Sequence, residues 1–179
     1  ALRVATGSRD GIRVWDAETG GALLVIDVGL KVDDCVRALA FFVDPATGAP
    51  RLACGTSKVL RGDVRIFDPA AGGEALVVID VGSYVRALAF FVDPATGAPR
   101  LACAAKKQVR VFDPVAGGEA LVVINAGDDV NALAVFQEPA VGEARLACGC
   151  GYREGKVLVF DPVVGGEALV VIKVGPRVN

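Results

Sequence analysis

The residues VRALAFFVDPATGAPRLAC occupy positions 36–54, and the same segment recurs without a change at positions 85–103. A diverged third copy, VNALAVFQEPAVGEARLAC, occupies positions 130–148. Repetition at a fixed period is the sequence signature of proteins in which one supersecondary unit is stacked several times. We therefore read the whole chain as tandem copies of one unit.

Two shorter elements recur in step with this segment. One is GGEALVVI at 72–79, 117–124 and 165–172, with GGALLVI at 20–26 as its degenerate partner. The other is IRVWD at 12–16, VRIFD at 64–68, VRVFD at 109–113 and VLVFD at 157–161. Their order is the same in each copy, so the chain of 179 residues holds four units of about 48 residues.

Each unit divides into four short strands, which we name a to d. In the second full copy we place strand a at Val85–Val92, b at Arg100–Ala104, c at Val109–Phe112 and d at Ala120–Asn125. The strands are rich in Val, Ile and Phe, and Pro- and Gly-containing turns separate them. No segment shows a helical apolar period. Four strands per unit and no helix predict an all-β fold, a β-propeller of four-stranded antiparallel blades.

The predicted blades can be bounded by aligning the copies. Blade 1 holds strands b–d only, and the chain ends just inside a further strand a, which gives 15 strands in four blades. We expect one propeller domain over 1–179 with blade 1 at 1–29, blade 2 at 30–82, blade 3 at 83–127, blade 4 at 128–175 and the next strand a starting at 176–179. We favour a longer parent chain with further blades, ahead of a homodimer completing an eight-bladed ring. Closure with four blades is the third alternative.

Composition limits the class of protein. Apolar residues make up 53% of the chain, but no apolar run approaches the roughly 18 residues of a membrane-spanning helix. We therefore expect a soluble protein with no membrane insertion.

Cys54, Cys103 and Cys148 recur inside the apolar strand b, which indicates core residues, whereas Cys35 is expected in a loop. Five cysteines without a disulfide pattern favour an intracellular, cytoplasmic location.

The segment ATGSRDGIRVWD, residues 5–16, resembles the signature that joins strands b and c in the WD-repeat family. In that family a hydroxyl residue, an aspartate and a tryptophan share a hydrogen-bonded network, and Ser8, Asp10 and Trp15 match these positions. The histidine that completes the network has no counterpart, because the chain contains no histidine. Phe67, Phe112 and Phe160 stand where the family has Trp, so apolar packing has to hold those blades.

The resemblance also implies a geometry. In WD-repeat propellers strand a lines the central channel and strand d is outermost. The d–a and b–c loops share the face that commonly binds protein partners, and the a–b and c–d turns share the other face.

The sequence offers little for catalysis. Without histidine the commonest activated nucleophiles are excluded, and no phosphate-binding glycine motif is present. The aspartates that repeat beside Pro and Gly are interpreted as turn residues, namely Asp16, Asp44, Asp68, Asp93, Asp113 and Asp161. We predict no enzyme activity, no cofactor and no metal site.

The loops differ between copies, whereas the strands hardly do. The b–c loops are rich in Lys and Arg, and one equivalent position of strand a holds Arg37, Arg86, Asn131 and Asn179. The predicted partner-binding residues are Arg37, Arg86, Asn131, Tyr84, Lys58, Arg61, Lys106, Lys107 and Arg153. The leading function is a non-enzymatic protein–protein interaction scaffold, since Arg and Tyr anchor many interfaces. Ordinary solvated loops would show the same variation.

One rival function is an anion binder, for a phosphoinositide, nucleic acid or phosphopeptide, that uses the basic b–c loops. Asp33, Asp34, Asp128 and Asp129 on the same predicted face, and a net charge of −2, make nucleic acid an unfavourable partner. A hydrolytic propeller lacks candidate residues, and a glycan binder usually needs more aromatic side chains than one Trp and two Tyr.

Overall fold

A computed structural model describes residues 2–57, 61–151 and 155–175. These residues form fifteen strands and no helix, as the repeats predict. The strands are β1 Arg3–Ser8, β2 Gly11–Asp16, β3 Ala22–Ile26, β4 Cys35–Val43, β5 Pro50–Ser57, β6 Asp63–Phe67, β7 Val77–Asp80, β8 Val85–Val92, β9 Pro99–Ala105, β10 Gln108–Phe112, β11 Val122–Asn125, β12 Val130–Gln137, β13 Ala144–Cys150, β14 Gly155–Phe160 and β15 Val170–Gly175.

The strands build four antiparallel sheets in chain order, which we call blades 1 to 4. Blade 1 has three strands in the order β1-β2-β3, and blades 2 to 4 have four each. The prediction of 15 strands with an incomplete first blade is confirmed for the described part of the chain. The further strand a expected at 176–179 lies outside the described residues.

The turns between strands a and b are built by an aspartate, as the sequence suggests. In blade 2, Asp44 Oδ1 accepts a hydrogen bond from the Ala46 amide at 3.0 Å, and its Oδ2 accepts one from the Thr47 hydroxyl at 2.7 Å. Gly48 closes the turn at a φ of 68°, a conformation that favours glycine. These donors lower the pKa of Asp44, the Thr47 hydroxyl most strongly. Equivalent backbone amides donate to the other recurrent aspartates, which are therefore turn residues as well, namely Asp16, Asp68, Asp93, Asp113 and Asp161.

The arginine of the R-L-A-C segment ties two turns together, which sequence reasoning missed. In blade 3, Arg100 lies 3.9 Å from carboxylate oxygens of both Asp93, in the a–b turn, and Asp113, in the c–d turn. In blade 4, Arg145 lies 2.8 Å from Glu138 and 3.8 Å from Asp161. The sequence does contain a signal for this contact, because this arginine and both acidic residues recur together in the copies.

The chain divides into two compact units, Ala1–Val85 and Arg86–Asn179. We call them unit 1, which holds blades 1 and 2, and unit 2, which holds blades 3 and 4. Each unit has an apolar core between its two sheets. The core of unit 1 consists of the buried residues Ile12, Val14, Ile26, Val28, Val36, Leu52, Cys54 and Phe67. The core of unit 2 includes their equivalents, Val109, Val111, Ile124, Ala126, Val130, Leu146, Cys148 and Phe160.

The cysteines follow the prediction with one exception. Cys54, Cys103 and Cys148 are fully buried. Burial raises the pKa of the Cys103 and Cys148 thiols to about 12, so both stay protonated and unreactive at neutral pH. Cys35 was expected in a loop, but it is the half-buried first residue of β4, because pairing with Ser57 extends that strand.

The hydrogen-bonded network expected in blade 1 has a different member. The Trp15 Nε1 group donates to the Thr6 hydroxyl at 2.8 Å and not to Ser8. Ser8 accepts a hydrogen bond from the Asp10 amide at 3.1 Å, so these two residues form a local turn. Thr6 is the blade 1 equivalent of Cys54, Cys103 and Cys148. The chain therefore combines Trp with Thr in blade 1 and Phe with Cys in the other blades.

No helix in the described part of the chain has the length and apolar character needed to cross a membrane.

Candidate functional site

The d–a and b–c loops contact each other within each unit. In unit 1 the Val81 amide donates to the Gly62 carbonyl at 3.1 Å. In unit 2 the Ala126 amide donates to the Lys107 carbonyl at 2.9 Å, and the Val130 amide to the Lys106 carbonyl at 2.8 Å. We call the d–a loops, the b–c loops and the adjoining first residues of the a strands the loop face of each unit.

In unit 2 the strand-a residues form a polar cluster across two blades. Arg86 of β8 donates to the Asn131 side-chain oxygen at 2.6 Å and lies 3.1 Å from the Asp129 carboxylate. Asn131 in turn donates to the Gly151 carbonyl at 3.3 Å. The Arg86 side chain is only 17% exposed. The predicted Arg86 and Asn131 therefore do come together, but in bonds that hold blade 3 to blade 4.

Lys106 and Lys107 form the tight b–c turn of blade 3. Lys106 has a positive φ of 55°, which a two-residue hairpin turn requires. The backbone carbonyls of both residues are fixed by the neighbouring d–a loop, while both side chains are exposed. The turn thus carries two exposed, positively charged side chains on a backbone that hydrogen bonds fix in place. Asp129 lies on that neighbouring d–a loop, and its carboxylate pairs with Arg86.

In unit 1 the equivalent arginine has a different environment. Arg37 stands at a β-bulge of strand β4, where the pairing register shifts between Val36 and Ala38. Its side chain is exposed, and in the described part of unit 1 no hydrogen bond or ion pair holds it. A bulge redirects a side chain out of the regular alternation of a strand. Asn131 occupies the same kind of bulge in β12.

The b–c loop of blade 2 lies directly against the d–a loop that contains Tyr84. A side chain added at Gly62 would come within 2.3 Å of the Ser83 carbonyl and 2.8 Å of the Tyr84 Cα. Only glycine fits at position 62, so the backbones of the two loops lie close together. The exposed Arg61 is therefore near the half-buried Tyr84. Lys58 and Arg153, two further predicted residues, lie outside the described residues.

A second polar group of unit 1 was not predicted. The Thr56 hydroxyl donates to the Asp63 carboxylate at 2.6 Å, and Arg65 pairs with the other oxygen of Asp63 at 3.0 Å. Arg65 also donates to the Val28 carbonyl in blade 1. This chain of bonds fixes the b–c loop of blade 2 and joins the two blades. The sequence signal is a polar residue two positions before the strand-c arginine, Asp63 in blade 2 and Gln108 in blade 3.

Among the described residues, no three His, Cys, Asp or Glu side chains are grouped so that they could hold a metal ion. The loop face of unit 1 presents the exposed guanidinium groups of Arg37 and Arg61, and that of unit 2 presents the exposed ammonium groups of Lys106 and Lys107.

The comparisons with known proteins define the class of fold. No protein-family model matches the chain. No curated protein sequence matches it either. The solved structures that it resembles include BBS1N in complex with ARL6DN, with a TM-score of 0.68, 12% identity and 96% of this chain covered. The Dos1 propeller has a TM-score of 0.67, with 13% identity and 97% coverage. Chaetomium thermophilum Raptor has a TM-score of 0.62, with 19% identity and 96% coverage.

These similarities and the four antiparallel sheets establish a β-propeller fold with four blades. The chain spans 49% of BBS1N, 45% of the Dos1 propeller and 16% of Raptor, so it corresponds to half or less of each structure. At such low identity the likeness concerns the fold alone.

Proposed function

We propose that the protein is a non-enzymatic interaction scaffold that binds a protein partner through its loop face. One observation carries the proposal. Arg37 projects from a bulge of β4, exposed and without an ion pair in the described part of unit 1, among loops that differ from blade to blade. The Arg37 guanidinium can form new bidentate hydrogen bonds to a partner, because it does not have to break an ion pair within the protein first.

Two further points support this function. Arg and Tyr are enriched among the residues that dominate protein interfaces, and Arg37, Arg61 and Tyr84 all belong to the loop face of unit 1. In addition, BBS1N, a structure with this fold, is seen in complex with another protein, ARL6DN. The a–b turns, by contrast, are identical in blades 2 and 3, which favours a structural role for them.

The test compares alanine variants of the two equivalent arginines, Arg37 and Arg86. Arg37→Ala should lower partner capture about tenfold, equivalent to about 1.4 kcal/mol of binding, with an unchanged melting temperature. Arg86→Ala should lower the free energy of unfolding by about 1–3 kcal/mol, because the partly buried Asp129 loses its charged partner. Capture is measured by quantitative mass spectrometry of proteins bound to the immobilised chain, and stability by denaturant unfolding.

Arg3→Ala is the matched control, since Arg3 is also exposed but lies at the opposite end of the blade 1 sheet from the b–c loop. The control should leave both capture and stability as they are. If Arg37→Ala enriches the same proteins to the same extent as the unchanged chain, the loop face of unit 1 is not the binding surface.

Anion binding remains the second candidate because Lys106 and Lys107 extend from a fixed turn. It predicts binding to phosphoinositide vesicles that collapses between about 50 and 200 mM salt and is lost in the double variant Lys106→Ala, Lys107→Ala. Vesicle binding that the double variant retains would eliminate this function. The neighbouring Asp128 and Asp129 weaken the positive potential there, so we place it second.

A further inference from the structure

A groove lies between blades 1 and 2 of unit 1, beside their edge strands β3 and β7, and we call it the rim groove. Its volume is about 620 Å³, which is within the range of sites that hold ligands. Blade 1 contributes residues 25 and 27–29, and blade 2 contributes residues 65, 67, 73–75 and 78. Both walls therefore come from described residues of one unit.

The middle of the rim groove is apolar. Val28 and Phe67 line it from below, since both belong to the buried core of unit 1. Val25 of β3 and Val78 of β7 line its sides, and they are 58% and 56% exposed. A partner that covers these two valines removes apolar surface from water, which favours binding.

The two ends of the rim groove carry carboxylates. Asp27 follows β3 at the loop-face end of blade 1, whereas Glu74 lies in the c–d turn of blade 2, at the other end of the sheets. Both residues are exposed, and in the described part of the chain neither forms an ion pair. The Gly29 amide donates to Asp27 Oδ1 at 2.7 Å, so this carboxylate has a fixed orientation.

Arg65 also lines the rim groove, but its charge is already balanced. Its guanidinium pairs with Asp63 at 3.0 Å and donates to the Val28 carbonyl, so that it joins the two blades. The Arg65 side chain is only 21% exposed. The groove therefore presents two carboxylates around an apolar middle.

The equivalent positions of unit 2 carry one carboxylate fewer. Asn125 stands at the position of Asp27, while Glu167 is the counterpart of Glu74. The position of Arg65 is taken by Leu158, which packs in the core of unit 2. Unit 2 thus provides an internal control for the charges of the rim groove.

We propose that the rim groove binds a short basic segment of a partner protein, in which Lys or Arg stands on either side of a few aliphatic residues. The basic side chains pair with Asp27 and Glu74, and the aliphatic side chains cover Val25 and Val78. The stems of Lys and Arg also pack on apolar surface while their charged ends reach the carboxylates. Binding at this site does not need Arg37, on which the proposed function rests.

The direct test is a selection from random seven-residue peptides displayed on phage, with the immobilised chain as the target. The library is first depleted on the variant Glu74→Lys, which removes peptides that bind elsewhere on the chain. The remaining peptides should carry Lys or Arg on both sides of Leu, Ile or Val. If Glu74→Lys does not fold, the isosteric Glu74→Gln takes its place in the depletion.

Variants of the other groove residues then test the most enriched peptide by fluorescence anisotropy. Asp27→Asn keeps an acceptor for the Gly29 amide but loses the charge, and should weaken binding about three- to fivefold. Val78→Ser should weaken it by a similar factor, because less apolar surface is covered. The matched controls Glu167→Lys in unit 2 and Arg37→Ala on the loop face should leave the affinity unchanged. Higher salt should weaken binding, since these charges are exposed.

Three outcomes would overturn the proposal. The first is a selection in which no peptide survives the depletion, or in which the survivors lack Lys and Arg. The second is an unchanged affinity of the selected peptide for both Asp27→Asn and Val78→Ser. The third is a dimer in analytical ultracentrifugation that Glu74→Lys dissociates, because a second copy of the chain would then occupy the groove.

Discussion

Unit 1 and unit 2 bury the same repeat positions but differ at their inner edge. Leu52 and Cys54 in unit 1 correspond to Leu146 and Cys148 in unit 2, and all four are buried in cores of the same design. Phe91, however, completes the core of unit 2, whereas the corresponding space of unit 1 is an open cleft. The comparison teaches that the same repeat positions pack one sheet on the next in both units, and that in unit 2 strand a of blade 3 adds the Phe91 side chain to this core.

The largest effect on stability is expected from removing the Phe91 side chain from the core of unit 2, since unit 1 has an open cleft at the corresponding place. Phe91→Ala should lower the free energy of unfolding by about 3–5 kcal/mol, because a large buried side chain is lost and a cavity is left. Denaturant unfolding measures the change, and hydrogen exchange shows whether unit 2 is the region affected. A loss below about 1 kcal/mol would mean that Phe91 is not the residue that closes this core.

A smaller contrast should appear between two equivalent leucines. Leu146→Ala should cost about 3–4 kcal/mol, since Leu146 is enclosed, whereas Leu52→Ala should cost about 2 kcal/mol, because its neighbour is already an open cleft. Denaturant unfolding of the two variants provides the measurement. Adding Phe91→Ala should reduce the cost of Leu146→Ala toward that of Leu52→Ala. Equal costs for the two single variants would contradict the difference between the units.

The Trp15–Thr6 pair of blade 1 provides a subtler test. Thr6→Cys gives blade 1 the residue that the other blades have, and leaves the Trp15 N–H without its protein acceptor. We expect a loss of about 0.5–1.5 kcal/mol in denaturant unfolding. The further change Trp15→Phe should recover most of this loss, since it restores the Phe and Cys combination of blades 2 to 4. Additive losses would show that the two residues are not coupled.

The least change is expected from the aspartates of the a–b turns, one in each unit. Hydrogen bonds from Thr47 and Thr96 lower the pKa values of Asp44 and Asp93 below 3.8. Since the folded pKa is the lower one, their contribution is present above the unfolded pKa and is lost as pH falls through the folded value. Unfolding curves between about pH 5 and pH 2 should show this loss, with a shallower slope for Asp44→Asn and for Asp93→Asn. Slopes equal to that of the unchanged chain would show that these pairs do not contribute.

The fold could be predicted from the sequence because the repeats compare the chain with itself. Strand a of blade 3 was predicted at Val85–Val92 and has those bounds. Strand d was predicted from Ala120 but begins at Val122, because the c–d turn extends further into the repeat. The candidate site was less predictable. Arg37 and Arg86 occupy one repeat position, yet one is exposed and the other is bonded to Asn131 and Asp129.

The sequence by itself determined the number of blades, the strands of each, the turn aspartates and the buried cysteines. These features depend on local patterns that recur from copy to copy. Only the tertiary structure decided which hydroxyl accepts the Trp15 hydrogen bond, which arginine is paired, and where an inner strand leaves a cleft. Those features depend on which side chain of the neighbouring blade lies within a few ångströms, and that neighbour differs at each position along the chain.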